Sequence, residues 1–341
     1  MAQLLNLRDP GTETSSHLCA STCKVGIEVE VESNNDSRNL HELANWNNVR
    51  EDSVNGFELV LREPKGGFNL VTALDELEEA LTPLVNRSSA ANVFSPRTSV
   101  HVHINITDMT QVQFLNFITL AIMFEKVLYN YVEPHRSKNH FCLPSSDAAV
   151  MLAKLSKLAR SIAASSVNNN SNSDSQLRNN YVNMFGTNSF KYGGINLASV
   201  HAYGSLEFRM HHGTHLSSDI LRWVNILQSL KSYAMLPDKT PSNILDTKKE
   251  IGISDIFRQV LGVYSDILKY EGIEGDILSG IRNAQDIVGA YNRGIRSIPD
   301  RILPPMINRS YFDAYVARFP VESADNEDDD DDDDDVPEGE E

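Results

Sequence analysis

Three short stretches of this chain alternate strictly between apolar and polar residues, and the residues on their polar side restrict the possible folds. Lys24 to Glu32 sets Val25, Ile27, Val29 and Val31 against Gly26, Glu28, Glu30 and Glu32. Thr98 to Thr107 sets Val100, Val102, Ile104 and Ile106 against Ser99, His101, His103 and Asn105. Ser205 to His211 sets Leu206, Phe208 and Met210 against Ser205, Glu207, Arg209 and His211. A period of two is the repeat of a β-strand with one apolar face. A solvated opposite face would mix Lys, Thr, Ser and Glu; these faces collect Glu, His and Arg. Side chains at i, i+2 and i+4 stand about 7 Å apart on a strand, so three Glu in that spacing repel. Cations are the simplest offset, since carboxylate oxygens suit Mg²⁺ or Mn²⁺ and a His nitrogen can complete a site. Singly, each stretch has a plainer reading: a solvated face, a hydrogen-bonded His pair, or a structural Glu207–Arg209 ion pair. Their coincidence on three apolar-backed strands points to a site.

The rest of the chain supplies the frame. Phe57 to Arg62 reads as a further strand before a Pro64/Gly66-Gly67 loop. Apolar residues at Leu70, Leu74, Leu77, Leu81 and Leu84 predict a helix over Asn69 to Val85. Thr110 to Val132 predicts a long, mostly buried helix, and Ala148 to Ala164 another. Ser165 to Gln176 is nearly all Ser, Asn and Asp and reads as a loop. From Ser217 onward the spacing is helical. Strands interleaved with helices in this way predict an α+β fold: an antiparallel or mixed sheet, helices on its apolar side, and a helical C-terminal third. The expected organisation is a flexible leader over 1–23, one domain over 24–320 and a disordered acidic tail over 321–341. In the leader, Cys19 and Cys23 lie near His17, but their spacing is not that of a usual zinc knuckle.

Charge excludes one class of partner. The net charge is −17, and the 14 acids of residues 321–341, unaccompanied by Lys or Arg, leave −3 for the rest. Binding nucleic acid through a basic surface is therefore not expected. Three Cys in 341 residues cannot build a disulfide framework. The apolar run Phe114 to Phe124 is short for a membrane span, and Met1 to His17 lacks the pattern of a secretory signal. The expected compartment is reducing, most simply the cytoplasm of a bacterial or phage-infected cell. The acidic tail is available for solubility, for docking a basic partner, for mimicry of a nucleic-acid backbone, or for autoinhibition by competing for the cation site. No G-x-x-x-x-G-K-[ST] phosphate loop, G-x-S-x-G elbow or H-E-x-x-H helix is present.

The order of the motifs resembles a known family. Gly26-Ile27-Glu28-Val29-Glu30 is similar to the G-x-E-x-E opening strand of carboxylate–amine ligases in the glutamine synthetase and γ-glutamylcysteine ligase superfamily. Ser99 to Ile104 resembles the HVHI strand that follows, and Leu206 to Thr214 the late EFR-x-x-x-GT signature. Glu51-Asp52-Ser53 with Gly56 to Val60, Pro134 to Pro144, and Lys191 to Leu197 resemble further segments of the amidoligase family of that superfamily. The resemblance spans about residues 24–235. Two departures, Arg97-Thr98-Ser99 before the His strand and Leu61-Arg62-Glu63-Pro64 after Glu58, bear on the substrate, with Arg62 or Arg97 adapting the site or filling it.

The resemblance implies a glutamine-synthetase-like sheet with a polar catalytic face, and ATP-dependent joining of a carboxylate to an amine with Mg²⁺ or Mn²⁺. The acid and amine are free amino acids, a peptide, a protein side chain or another small molecule. It implies that Glu28 and Glu30 hold one metal each, with Glu58 at the shared carboxylate position. His101 and Glu207 complete the metal site at the transferred phosphate, and Arg209 contacts a phosphate oxygen. His103 lies near the nucleotide or just outside the metal ligands, Glu32 lies further out or faces solvent, and Arg136 binds a phosphate or substrate carboxylate or is a surface Arg of a turn. Asp52 and Tyr192 line the pocket, Tyr192 toward the nucleotide, and the Asn-rich segment 168–172 before Tyr181 is a candidate lid or a disordered insertion. Two rivals share the same residues: a metal-dependent hydrolase needing no ATP, and an inert ligase-like module acting through its acidic tail.

Overall fold

A computed structural model describes residues 24–32, 43–51, 56–168, 181–185 and 192–295. The leader, Asp52, most of the Asn-rich segment and the acidic tail lie outside the described residues. The strands are β1 (Val25–Glu32), β2 (Trp46–Glu51), β3 (Gly56–Leu61), β4 (Ser99–Asn105), β5 (Ile195–Asn196) and β6 (Ser205–His212). They form a six-stranded sheet in the order β2-β3-β1-β4-β6-β5. Every neighbouring pair is antiparallel, so the fold is α+β and the sheet is not mixed. The expected alternation holds in β1 and β4. β2 was not foreseen, because Trp46-Asn47-Asn48-Val49-Arg50-Glu51 does not alternate. It is an edge strand with one apolar anchor, Trp46, whose indole N–H donates to the Ala73 carbonyl at 2.8 Å.

Helices α1 (Gly67–Ser88), α2 (Ala90–Val93) and α3 (Gln111–Tyr131) come from the first half of the chain. They are followed by α4 (Ala149–Asn168), α5 (Ala198–Tyr203), α6 (Ser217–Ala234), α7 (Pro241–Ile251), α8 (Ile253–Leu261) and α9 (Ile273–Ile295). The apolar side chains of β1, β3, β4 and β6 share one core with those of α1, α3 and α6. α3 begins in a capping box, with the Thr110 hydroxyl accepting from Gln113 N and the Gln113 side chain returning to Thr110 N. It is long and apolar enough to cross a membrane, yet 83% of that window is buried in the fold, as suits a core helix. α4 and α9 pack on one another and on α3 as an outer layer. α4 runs to Asn168, past the expected stop at Ala164, because an established helix gains a hydrogen bond for each residue it adds.

The long core helix carries a buried carboxylate. Glu125 of α3 is buried and accepts from the Ser145 amide at 2.9 Å to each oxygen, and from the Ser145 hydroxyl. Burial outweighs these bonds and raises its pKa from 4.5 to about 7. A carboxyl raised on folding favours the folded state fully below about pH 4.5, and loses that contribution as pH climbs through 7. The full swing is on the order of 3 kcal/mol. Thermal unfolding of Glu125→Gln across pH 5 to 8 should therefore lack a decline that the wild type shows. Parallel curves would mean that Glu125 is ionised throughout.

Candidate active site

Strand order brings three separated sequence motifs together. β1 lies between β3 and β4, with Glu30 opposite Glu58 and Glu28 opposite His101. β6 lies beyond β4, with Glu207 opposite His103. Directly paired residues on antiparallel strands project to the same face, so Glu28, Glu30, Glu58, His101, His103 and Glu207 crowd one side of the sheet. Glu28, Glu30, His101, His103 and Glu207 are each at most 9% exposed. Burial at this level makes unbalanced charge costly.

The hydrogen bonds have an order. The Ser99 hydroxyl donates to Glu30 Oε2 at 2.5 Å and lies 2.7 Å from His101 Nε2. With its proton given to Glu30, Ser99 accepts from His101 Nε2–H, which leaves Nδ1 facing Glu28 Oε2 at 2.9 Å. His103 repeats the device: Nδ1 is 3.0 Å from the Ser205 hydroxyl and Nε2 faces Glu28 Oε1 at 3.1 Å. A ring nitrogen and a carboxylate oxygen at that separation have a proton or a cation between them. Histidine metal ligands characteristically donate their other N–H to a fixed partner, as His101 does to Ser99 and as the Ser205 hydroxyl is placed to accept from His103.

Glu207 is the best-satisfied acid. It accepts from Arg209 Nη1 at 2.6 Å, Asn196 Nδ2 at 2.7 Å and the Ser199 hydroxyl at 2.6 Å. Burial would raise its pKa, but Arg209 and then His103 outweigh burial and hold it at about 2. Glu58 behaves oppositely: burial first, then Glu28 and Glu30, push it well above the usual carboxylate range. For His103, burial opposes the charged ring, yet Glu207 and Glu28 raise its pKa. Four carboxylates against one guanidinium thus draw protons or cations onto this face.

Among the described residues, two groups of donors suit a cation: Glu28/Glu58/His101 and Glu28/His103/Glu207, each with ligand atoms within 4.8 Å of one another. Glu28 belongs to both. Carboxylate oxygens suit hard cations such as Mg²⁺ or Mn²⁺, and imidazole nitrogens suit transition-metal ions, so the mixed set is that of a divalent-cation site. His103, expected near the nucleotide, stands in the second group. Glu30 belongs to neither group; one of its oxygens takes the Ser99 hydroxyl.

Other expected residues fall elsewhere. His211 does not share the face of Glu207. One residue of β4, His101, is set against two of β6, Arg209 and Met210, because the register slips between Val100 and Val102. The extra residue reverses the alternation, so His211 pairs with Val100 and its ring lies 5.4 Å from that of Trp223 in α6. Burial, then His212, lowers the His211 pKa to about 3 and keeps the ring neutral. Arg136 is wholly buried and donates to main-chain carbonyls of Met210, Thr98 and Arg209. That leaves it no exposed surface toward a phosphate or substrate carboxylate. Tyr192 is 39% exposed, edge-on to Phe141, whose carbonyl accepts from Arg209 Nε. Arg62 is exposed and donates to the Trp46 carbonyl, binding β3 to β2 instead of filling the site. Arg97 is exposed in the turn before β4.

No role was foreseen for Ser99, Asn196, Ser199, Tyr203 or Ser205, although Ser99 and Asn196 lie within the sequence motifs. Tyr203 ends α5 edge-on to His103, ring centroids 5.7 Å apart. Burial, then Glu28, Glu207 and Glu58, raises its hydroxyl pKa, which places it in the field of these acids. Its only sequence signal is that it stands two residues before β6.

Comparison with known proteins adds one match. A family model described as "putative amidoligase enzyme" covers residues 34–231, more than half of the 341. No curated protein matches the chain.

Proposed function

Because the chain belongs to this amidoligase family, whose name denotes a ligase-type function, we propose that it is an ATP-dependent carboxylate–amine ligase with a glutamine-synthetase-like sheet. The observation that carries the reading is the pair of cation-ready groups sharing Glu28, with Arg209 alongside. Phosphoryl transfer needs positive charge held where anionic oxygens meet, and little else from the protein. In this reaction a carboxylate oxygen attacks the γ-phosphorus of ATP and ADP leaves. The amine then attacks the acyl carbon, phosphate leaves and the amine loses a proton.

The residues divide the work. Glu28, Glu58 and His101 would hold one Mg²⁺ or Mn²⁺, and Glu28, His103 and Glu207 a second. Bound there, the ions supply positive charge to the phosphate oxygens. Ser99 and Ser205 fix the two imidazoles so that one nitrogen of each faces the carboxylates. Arg209, with its side chain 17% exposed, keeps a solvent-facing edge for a phosphate oxygen while Glu207 sets its direction. Tyr203 limits the swing of His103. Tyr192 stands by Arg209 through Phe141, on the side assigned to the nucleotide.

Calorimetric titration with ATP tests this. We expect binding at least about 10-fold tighter with Mg²⁺ than with EDTA, and ADP release only when an acid and an amine are both present. Folded protein that binds no ATP in either condition would overturn the reading. Bond cleavage that needs metal but no ATP would establish the hydrolase instead.

A further inference from the structure

The reversal of alternation in β6 is braced from outside the sheet. The 3₁₀ turn Pro134–Lys138 follows α3 and carries Arg136. Arg136 is wholly buried, though Arg is among the residues least often found so. Its Nη2 donates to the Arg209 carbonyl at 2.7 Å, its Nε to the Met210 carbonyl at 3.1 Å, and its Nη1 to the Thr98 carbonyl at 3.4 Å. Arg209 and Met210 are the two residues set against His101. Regular pairing is interrupted there, and one planar guanidinium grips both carbonyls at the interruption.

The turn that carries Arg136 is itself fastened. The Cys142 thiol donates to the Arg136 carbonyl, and Asn139 Nδ2 to the Pro96 carbonyl. The Tyr129 hydroxyl of α3 donates to the Cys142 carbonyl at 2.5 Å. On the opposite edge of β6, the Arg209 amide donates to the Gly194 carbonyl at 2.9 Å. Gly194 has no room for a side chain, since a Cβ there would stand 2.2 Å from the Tyr129 hydroxyl.

The bulge separates two roles of one strand. Before it, Glu207 faces the acids and at it Arg209 turns toward Glu207; after it, His211 enters the core beside Trp223. Without a fixed bulge, the extra residue could migrate along β6 and exchange these faces, since a one-residue shift turns every side chain over.

We propose that Arg136 is a positioning residue for this site: its guanidinium holds the β6 bulge, fixes the aim of Glu207 and Arg209, and touches no substrate. The statement about ATP below rests on the ligase reading; the statement about metal does not.

The test uses the full chain with Arg136→Lys, Arg136→Met and Asn139→Ala. Asn139→Ala removes the bond that ties the Arg136 turn to the Pro96 carbonyl while leaving Arg136 and the candidate ligands in place. Each variant is titrated with Mn²⁺ alone, then with ATP in saturating Mn²⁺, after cooperative unfolding has shown it to be folded. Mn²⁺ affinity should fall about 10-fold or more in Arg136→Met, in the range found when outer partners of metal ligands are lost, and measurably in Asn139→Ala. Arg136→Lys should recover part of that loss. If the Arg136 variants do not fold, Asn139→Ala decides: wild-type Mn²⁺ affinity in it overturns the proposal. Folded Arg136 variants that bind Mn²⁺ like the wild type also overturn it. If those variants additionally lose ATP, Arg136 contacts the nucleotide directly. A wild type that binds Mn²⁺ but not ATP would sink the ligase reading and leave the Mn²⁺ comparison decisive for Arg136. A wild type that binds no Mn²⁺ would overturn both.

Discussion

Glu28→Ala is expected to remove both cation groups at once and to reduce ligase turnover by about 10³-fold or more, the scale of losing a central electrostatic contact. Glu28 is the carboxylate common to Glu28/Glu58/His101 and Glu28/His103/Glu207. Its two oxygens face different histidines, Oε2 toward His101 Nδ1 at 2.9 Å and Oε1 toward His103 Nε2 at 3.1 Å. Two neighbouring acids are committed elsewhere: Glu30 is turned to Ser99, and Glu207 is held by Arg209, Asn196 and Ser199. The fold should tolerate the change, because one of four crowded acids is lost and the apolar face of β1 is untouched. Mn²⁺ calorimetry and an ADP-release assay, with thermal unfolding in EDTA as the check on folding, measure all three consequences. Retained Mn²⁺ binding in a folded Glu28→Ala protein would show that the cation is held elsewhere.

Gly280→Ala should destabilise the protein by about 3 kcal/mol or more, against the direction that helix propensity alone gives. In an open helix, Ala for Gly stabilises by nearly 1 kcal/mol. Gly280 lies in α9 where that helix crosses α3. A Cβ there would come 2.1 Å from the Met123 carbonyl oxygen and 2.9 Å from that of Ile122. Those atoms are backbone of a core helix, so relief requires moving α9 away from α3, not turning a side chain. The separation would loosen the layer that α9 forms with α4. Denaturant unfolding with fitted midpoint and slope measures the change. A midpoint equal to or above that of the wild type would mean that the helices separate at little cost.

Part of this site was legible early. Glu28, Glu30, His101, His103, Glu207 and Arg209 announce themselves because each sits on a strand whose other face is apolar, and that pattern needs no partner to be seen. Glu58 was legible only through the family motif, since Phe57 to Arg62 is too short to mark a functional face on its own. The serines and Tyr203 were not legible. Ser99 and Ser205 look like ordinary polar positions until His101 and His103 rest against them, and Tyr203 belongs to a helical turn outside the alternation. β2 escaped because an edge strand needs only one apolar anchor, and Trp46 supplied it.

The faces of β1 and β4 were determined by sequence alone, since a strand projects alternate residues to opposite sides whatever it pairs with. The α+β class followed from the same local periods. Tertiary structure decided what pairing controls. The order β3-β1-β4-β6 sets Glu28 beside His101 and Glu207 beside His103. It also decided the extra residue at Arg209 and Met210, which carries His211 out of the site and gives the buried Arg136 its acceptors. Strand register is a relation between segments about 100 residues apart. Its energy lies in contacts between them, which a period within either segment does not encode.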